Sequence, residues 1–201
     1  MIHADLHVHT KYSVDSSINP KTLVEQLHSN STIKVVAITD HDGIEGYFKV
    51  RELATAYTDV LVIPSAELTT PEGDPLVLGI TELRPKPWIV RDVIDFSRKR
   101  DGVLVVAHPY RECGLGSLAK NYAVDAVEVL NGGAPSNLNK LAEELAREMG
   151  LPGVADSDAH NPDDLWSVYT DIEASLNVDE ILNAIRKGFV KASSARKSIH
   201  F

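Results

Sequence analysis

The chain alternates short apolar runs with stretches in which apolar residues recur at helical spacing. Short apolar runs bounded by polar or turn residues are typical of buried strands. After a first strand at the start of the chain, this pattern predicts strands at 35–39, 59–63, 103–107, 126–130, 153–156 and 166–172, with a short extra strand at 76–80. The sequence therefore predicts seven main strands and one short addition.

Helices are predicted in the intervals between these strands. Asn19 followed by Pro20 is typical of a helix cap and a first helical residue. The clearest helical periodicity follows Ser136, which is a candidate cap. A last helix is predicted after Asn177, because Glu180 stands three residues further on, a spacing typical of a capping box.

The alternation of strands and helices predicts an α/β fold with parallel strands and right-handed crossovers. Residues that can bind metals follow most of the strands, which favours a closed or nearly closed barrel over an open sheet with one switch point. We expect one domain over residues 1–201, because the sequence has no internal repeat and no second composition regime.

Composition and charge limit the functions that fit. With 43% hydrophobic and 24% charged residues among 201, the composition is that of an ordinary globular domain. The net charge of -9 disfavours a surface that grips long nucleic acid, although bound cations can still attract a phosphate-bearing substrate. No signal segment or membrane-length apolar run is visible, and the single cysteine, Cys113, cannot form an internal disulfide, so we expect a cytoplasmic protein.

Histidines and carboxylates gather at the ends of the predicted strands. His7 and His9 lie two residues apart on an extended backbone, so their imidazoles point to the same side. Imidazole is a frequent ligand of zinc and iron, although a lone pair of this kind is more often surface or core. The other metal-capable residues at strand ends are Asp40, His41, Glu67, His108, Asp158 and His160. Because parallel strands end at one mouth of a barrel, we expect a shared site there.

Five stretches of the sequence, taken together, resemble the polymerase and histidinol phosphatase (PHP) superfamily of metal-dependent phosphoesterases. They are His7-Val8-His9, Thr39-Asp40-His41-Asp42, Glu67, His108-Pro109 and Ser157-Asp158-Ala159-His160. The resemblance runs from Ile2 to about Gly188. It implies a distorted, TIM-like, seven-stranded (β/α) barrel that forms a single PHP domain over residues 1–201, with two or three metal ions at the C-terminal ends of the strands.

The resemblance also implies a set of metal ligands. The first site would use His7, His9, Glu67 and Asp158, and the second would use Asp15, His41 and His160. The family holds a third ion with Glu67, His108 and a histidine that precedes a leucine-glycine pair. The chain has Leu76 at that position, in Leu76-Val77-Leu78-Gly79. We therefore expect two ions and leave a third open, with Glu128, Asn131 or water as substitute ligands.

Mixed imidazole and carboxylate ligation suits Mn, Zn or Fe and does not suit Ca or Mg, which prefer oxygen ligands. Two such ions about 3.5–4 Å apart can deliver a bridging hydroxide to phosphorus, which predicts hydrolysis without a covalent enzyme intermediate. The predicted catalytic residues are His7, His9, Glu67 and Asp158. Lys11 and Arg111 are candidates to bind the phosphate, and solvated surface charge explains them equally well.

Several polar residues near the predicted ligands have a second interpretation. Asp5, Asp40 and Asp156 are candidates to orient an imidazole from behind, and exposure at a loop edge is the alternative. Histidines without ligand-type neighbours, expected to face solvent, are His3, His28 and His200.

The residues around two other possible motifs argue against a cysteine phosphatase and against a dinucleotide-binding loop. A cysteine phosphatase would place an arginine six residues after its nucleophile, and the residue six positions after Cys113 is Ala119. The stretch 114–119 matches a dinucleotide-binding Gly-x-Gly-x-x-Ala but does not directly follow a predicted strand, so we expect a flexible loop.

The sequence thus predicts a metal-dependent phosphoric ester hydrolase, either a phosphatase or an exonuclease-like phosphodiesterase. The expected substrate is a small phosphorylated metabolite, a nucleotide or a short oligonucleotide, with no membrane partner and an open oligomeric state. The alternative is a non-catalytic, metal-binding PHP module that serves a partner protein, and Leu76 gives it weight. The tail, 192–201, is expected either to cover the barrel or to reach a neighbour.

Overall fold

The computed structural model describes residues 1–195 of the chain. Within this range nine strands form one sheet: β1 (Ile2–Val8), β2 (Val35–Ile38), β3 (Leu61–Glu67), β4 (Leu76–Leu78), β5 (Val103–Val106), β6 (Ala126–Asn131), β7 (Gly153–Asp156), β8 (Val168–Ile172) and β9 (Val190–Ser194). The α-helices of this range are α1 (Pro20–Ser29), α2 (Glu45–Ala54), α3 (Val90–Arg98), α4 (Ser136–Met149) and α5 (Val178–Lys187). A short 3₁₀ helix spans Gly116–Asn121.

The strands are hydrogen-bonded in the order β7-β6-β5-β4-β3-β2-β1-β8-β9. The pairs β1–β2, β2–β3, β5–β6 and β6–β7 are parallel, whereas β4 and β8 run antiparallel to both of their neighbours. The predicted α/β fold with a barrel-shaped sheet is confirmed. The prediction of seven parallel strands is wrong, because the described part of the chain has nine strands in a mixed sheet. The connection between β3 and β4 is too short for a parallel crossover, which needs about a dozen residues.

The barrel is nearly closed where β7 lies alongside β1 and β8. Thr170 of β8 is buried, and its Oγ1 accepts a hydrogen bond from Ala155 N at 2.8 Å and donates one to Ala155 O at 2.7 Å. Just beyond β1, His9 N donates to Ala159 O at 3.1 Å. These bonds hold the ends of β1 and β7 side by side, so the predicted ligands that follow the two strands become neighbours.

Alternate strand residues face the inside and the outside of the barrel, as the period of two requires. In β2, Val35 and Ala37 belong to the interior apolar cluster, whereas Val36 and Ile38 pack with α1 and α2 on the outside. Ile181 of α5 joins the interior cluster. Hydrocarbon therefore fills the middle and one end of the barrel, and the buried polar side chains lie at the other end.

Two of the three predicted helix caps are present in the structure. The side chain of Asn19 accepts a hydrogen bond from the backbone two residues on, and that of Asn177 accepts one from Glu180 N at 3.1 Å. The Glu180 carboxylate bonds to Ser175 rather than back to Asn177, so the second half of a capping box is not formed. The prediction of Ser136 as a cap is wrong, because it is the first residue of α4 and makes no capping hydrogen bond.

The remaining predictions on peripheral residues have mixed outcomes. His3 is half-buried rather than solvent-facing, because its Nδ1 lies 2.5 Å from Asp171 Oδ1. His28 is exposed, as expected, and pairs with Asp59. His200 and the part of the predicted tail from 196 onward lie outside the described residues, and the preceding segment forms β9, which the sequence pattern did not predict. No helix within 1–195 has the length and apolarity needed to cross a bilayer.

Candidate metal centre

The eight side chains predicted as metal ligands meet at one end of the barrel. His7 lies in β1, His9 follows it, and Glu67 is the last residue of β3. An isolated bridge between His41 and Glu67 extends the pairing of β2 with β3 into the site. The others lie on the loops that follow β1, β5 and β7: Asp15, His108, Asp158 and His160. One polar pocket therefore collects donors from five strand ends.

Four buried atoms form the centre of this group. His7 Nε2 and His9 Nε2 are 3.0 Å apart, and Glu67 Oε2 lies 3.2 Å from each. Asp158 Oδ1 lies 3.3 and 3.4 Å from the same two nitrogens. The ligand atoms of a tetrahedral ion with bonds of about 2.0–2.1 Å are separated by about 3.3–3.4 Å. The two histidines with Glu67, and Asp158 beside them, therefore offer donors that could hold a divalent metal ion.

A second group lies nearer the open mouth. Asp15 Oδ2 is 3.4 Å from His41 Nε2 and 3.3 Å from His160 Nε2. The ring of His9 lies between them, 4.5 Å from the ring of His41 and 4.2 Å from that of His160. These side chains are a quarter to a half exposed, so a second ion held here would be reachable from solvent.

Glu67 joins the first group to His108. Its Oε2 faces the paired histidines, and its Oε1 lies 3.0 Å from His108 Nε2. Leu76 pairs in register with Glu67 across β3 and β4 and is fully buried. The two suggested substitutes make other bonds: Glu128 accepts from His108 N, and Asn131 donates to Glu128 Oε1 at 2.7 Å. Neither is free to act as a simple replacement for the missing imidazole.

Buried carboxylates lie behind the first group. Glu128 and Asp156 each lie 3.7 Å from His7 Nδ1, which is longer than a direct hydrogen bond. Burial, reinforced by repulsion from Glu128, raises the pKa of Asp156 well above its ordinary value. The sequence suggested Glu128 only as a substitute ligand. A carboxylate within the otherwise mostly apolar β6 was the signal that could have pointed to a role inside the barrel.

Asp5 and Asp40 are both buried, so exposure at a loop edge is wrong for both. Asp40 accepts hydrogen bonds from Thr10 N and from Ser13 Oγ, and the same Ser13 Oγ lies 3.3 Å from His9 Nδ1. Asp40 thus acts on His9 through Ser13. Asp5 instead accepts from Ser157 N at 2.9 Å and so fixes the backbone next to Asp158. Alanine cannot replace Gly46 here without displacement, since an added Cβ would lie 1.8 Å from Asp40 Oδ2.

Opposite charges compensate one another in the first group. Burial disfavours protonation of His7, but the carboxylates of Asp158 and Glu67 outweigh it and raise the pKa of His7 well above its ordinary value. Burial raises the pKa of Glu67, and the charge of His7 and the hydrogen bond from His108 lower it well below the ordinary value. The carboxylates therefore remain ionised although buried, which is the state that metal ligation requires.

Two of the grouped residues have unusual backbone conformations. His108 has a φ of 25° and Asp158 a φ of 51°, which side chains with a Cβ adopt at a cost of about 1–3 kcal/mol. The loop after β5 holds His108 in place, because Gly114 packs against its carbonyl so closely that an added Cβ would lie 2.4 Å from His108 O. Folding thus stabilises strained positions at the site.

The two predicted phosphate-binding residues differ in placement. Arg111 forms an ion pair with Asp158 and lines a cavity of about 200 Å³ above the grouped residues. It also lines an adjoining cavity of about 320 Å³, which includes Gly132, Gly133 and Ser167 in its wall. Lys11 is exposed. The structure therefore brings Arg111 to the site and leaves Lys11 on the surface.

Comparison with curated proteins gives two relatives, both from Methanocaldococcus jannaschii. The uncharacterised protein MJ1587 is 32% identical over 163 residues, which cover 72% of this chain and 94% of that protein. The uncharacterised protein MJ0417 is 30% identical over 174 residues, which cover 82% of this chain and 66% of that protein.

Solved structures with the same fold include phosphoesterase-like proteins. A two-domain protein from Bacteroides vulgatus, described as containing a predicted PHP-like metal-dependent phosphoesterase, superimposes with a TM-score of 0.81 at 17% identity, covering 96% of this chain and 64% of that one. Endonuclease Q bound to a 27-mer duplex with an abasic lesion gives a TM-score of 0.68 at 18% identity, covering 96% of this chain and 58% of that one. At these identities the likeness shows the fold.

Two family profiles match the sequence directly. The PHP domain profile matches residues 5–86, and the PHP-associated profile matches residues 137–190. The first range contains the paired histidines and Glu67, and the second contains Asp158 and His160. With the barrel-shaped sheet and the grouped histidines and carboxylates, these matches show that the chain belongs to the PHP domain family.

Proposed function

We propose that this protein is a metal-dependent phosphoesterase that hydrolyses a small phosphorylated metabolite, a nucleotide or a short oligonucleotide. The observation that carries the proposal is the first group of buried side chains, in which His7 Nε2 and His9 Nε2 are 3.0 Å apart and one oxygen each of Glu67 and Asp158 lies 3.2–3.4 Å from both nitrogens. Two imidazoles and two carboxylates at that spacing gain little as direct hydrogen bonds to one another. They are the donor types that a divalent ion binds, at nitrogen-to-oxygen spacings that such an ion imposes.

The proposed centre holds two ions, and a third position stays open. The proposed ligands of the first ion are His7, His9, Glu67 and Asp158, and those of the second are Asp15, His41 and His160. Nitrogen and carboxylate donors favour Mn, Zn or Fe over Ca or Mg. We take Asp40 and Asp5 as residues that hold these ligands in place, the first through Ser13 and the second through Ser157.

The ions would supply an activated water and would neutralise charge that builds on the phosphoryl oxygens during hydrolysis. The chain's own residues set the geometry. Glu67 divides its two oxygens between the paired histidines and His108, so it holds the two sides of the site at a fixed separation. Arg111 lies on the cavity wall with N–H groups suited to phosphate oxygens.

Cavity size supports a small substrate. The cavity above the ligands has a volume of about 200 Å³, which suits a phosphate group and little more. The adjoining cavity of about 320 Å³ shares Arg111, Asp158 and His160 with it and offers room for the alcohol part of an ester. Endonuclease Q, a longer protein with the same fold, was crystallised with a 27-mer duplex substrate. A phosphodiester substrate is therefore kept as the second form of this proposal. A cytoplasmic location remains part of it.

The alternative of a non-catalytic module rests on Leu76 alone. Replacement of the expected histidine by Leu76 would be one step in the loss of a catalytic metal site. The proposed ligands of the first two ions are all present, each group has nitrogen-to-oxygen distances of 3.2–3.4 Å, and Asp40 and Asp5 support them through hydrogen bonds. We favour the enzyme because the second group is partly exposed and borders the cavity, and catalytic metal sites keep an open position whereas structural sites are closed.

The test is phosphate release from a panel of phosphomonoesters, nucleotides and short oligonucleotides. The protein is stripped with a chelator and reloaded separately with Mn, Zn or Fe. We expect metal-dependent release with at least one ion, and the preferred panel member identifies the substrate class. His7→Ala and Asp158→Ala should lose bound metal and turnover together. Silence across the panel from folded, metal-bound protein would contradict the proposal and favour the module.

The matched control is His28→Ala, which removes a histidine that lies on the surface beside Asp59 and Tyr57. It should keep metal content and turnover. If His7→Ala retained both, the ligand assignment would be wrong whatever the wild-type activity.

A further inference from the structure

The PHP site is short of one ligand beside Glu67, and Arg111 lies in the wall of the same cavity as Glu67 and His108. Leu76 pairs in register with Glu67 in an antiparallel pair, so the two side chains stand on the same face of the sheet. Leu76 is fully buried and packs in the interior apolar cluster. A hydrocarbon side chain therefore occupies the position beside Glu67 from which an imidazole would reach a further ion.

His108 lacks partners of its own for such an ion. Within residues 1–195, the group of possible ligands that contains His108 takes its other two members, His7 and Asp158, from the first group. Its Nε2 is 3.0 Å from Glu67 Oε1, and Glu128 accepts a hydrogen bond from its backbone. A third ion would have to share donors that the first ion already needs.

Arg111 lines the same cavity as Glu67 and His108. Its backbone N–H donates to His108 O at 2.9 Å, a tight turn that brings its side chain over the site. Its Nη1 contacts Asp158 Oδ2 and lies 3.5 Å from Asn131 Oδ1. The two carboxylate oxygens of Asp158 thus face different partners: Oδ1 faces His7 and His9, and Oδ2 faces the guanidinium.

The guanidinium also has donors to spare. It carries five N–H groups and can bind a phosphate through two parallel bonds. The side chain is 38% exposed and lines both cavities, so part of it is reachable by a substrate. A fixed positive charge at this point would help to neutralise the substrate phosphate, as a further metal ion would.

We propose that Arg111 takes the place of a third metal ion, so that the centre binds two ions and holds the substrate phosphate through the guanidinium. This inference rests on the proposed metal centre and deepens it. It assigns Leu76 and Arg111 as a matched pair: the leucine removes a ligand, and the arginine supplies the missing positive charge.

The first experiment counts ions by elemental analysis of manganese-loaded, desalted protein. We expect two ions per wild-type chain and three in the double variant Leu76→His/Arg111→Ala, in which the imidazole is restored and the guanidinium removed. Three ions in the wild type would overturn the proposal, and so would two in a folded double variant. Circular dichroism establishes that each variant is folded.

The second experiment measures binding of inorganic phosphate to the manganese-loaded protein by calorimetry. Arg111→Ala should weaken phosphate binding by about 10- to 100-fold, the effect of losing charge-assisted hydrogen bonds. Arg111→Lys should restore part of the loss, because a point charge replaces a planar fork. The control is Arg91→Ala, on the exposed face of α3, which should bind phosphate like the wild type. Unchanged affinity in Arg111→Ala would overturn the role in phosphate binding.

Both readouts are independent of turnover. If the wild type hydrolyses no panel member, the proposed function fails, and the ion count and phosphate affinity still decide the role of Arg111. If turnover is found but the wild type holds three ions, the function stands and this inference fails.

Discussion

Asp5→Asn should stabilise the metal-free protein at neutral pH and leave its stability almost unchanged in acid. The Asp5 carboxyl is fully buried in β1, where Oδ1 accepts from Ser157 N and Oδ2 has no hydrogen-bond partner among the described residues. Burial raises its pKa from 3.8 to about 6, against the opposing hydrogen bonds from Ser157. Asparagine keeps the acceptor oxygen and has no charge to desolvate.

The sign and size follow from proton linkage. Well below pH 4 the carboxyl is protonated in both the folded and the unfolded chain, so it costs nothing. Between its unfolded pKa and about 6 the unfolded chain loses the proton while the folded chain keeps it, so the free energy of unfolding falls as pH rises. A pKa difference of about two units corresponds to about 3 kcal/mol, fully present above pH 6.

The assay is urea unfolding of chelator-treated wild-type and Asp5→Asn protein between pH 4 and 7.5. The difference in free energy of unfolding should grow from near zero at the acid end to about 3 kcal/mol at the neutral end. Asp163→Asn, at an exposed loop position, controls for the substitution itself. A difference that stays constant with pH, or a wild type more stable than the variant at pH 7, would refute the account of Asp5.

Three further predictions follow from the same contacts. Loading with Mn or Zn should raise the melting temperature measured by calorimetry, because the ion binds the folded ligand group more tightly than the unfolded chain; an unchanged melting temperature would contradict the site. Thr170→Val should cost about 2–4 kcal/mol in urea unfolding by leaving Ala155 N and O unbonded, whereas Thr170→Ser keeps the hydroxyl and should cost much less. Gly46→Ala should displace Asp40 and weaken metal binding in a titration, and Lys49→Ala, on the exposed surface of the same helix, should not; equal affinities in the two variants would refute the role of Asp40.

The sequence predicted the location of the site well because local geometry carries that information. Histidines two residues apart on a strand share a side, and residues that follow parallel strands meet at one edge. These two rules sufficed to group His7, His9, His41 and His108 before any coordinates. Their roles as ligands stay a proposal, but their proximity does not depend on it.

The sequence identified Arg111 as a candidate for the site but could not distinguish it from Lys11. It stands three residues after His108, which made it a candidate, and Lys11 stands as near to His9. The tight turn at His108 O and the ion pair with Asp158 separate the two residues, and both depend on contacts between segments far apart in the chain. Sequence distance from a ligand does not say which way a loop turns.

By itself the sequence determined an α/β barrel of the PHP superfamily with a histidine and carboxylate cluster at the strand ends. The tertiary structure decided the rest: nine strands instead of seven, the antiparallel β4 that sets Leu76 beside Glu67, and the closure of the barrel through Thr170. The physical reason is the sequence separation over which each feature is determined. Periodicity records which side of a strand faces apolar surroundings, whereas strand direction, barrel closure and the burial of Asp5 and Glu128 depend on partners that pair only when the chain is folded.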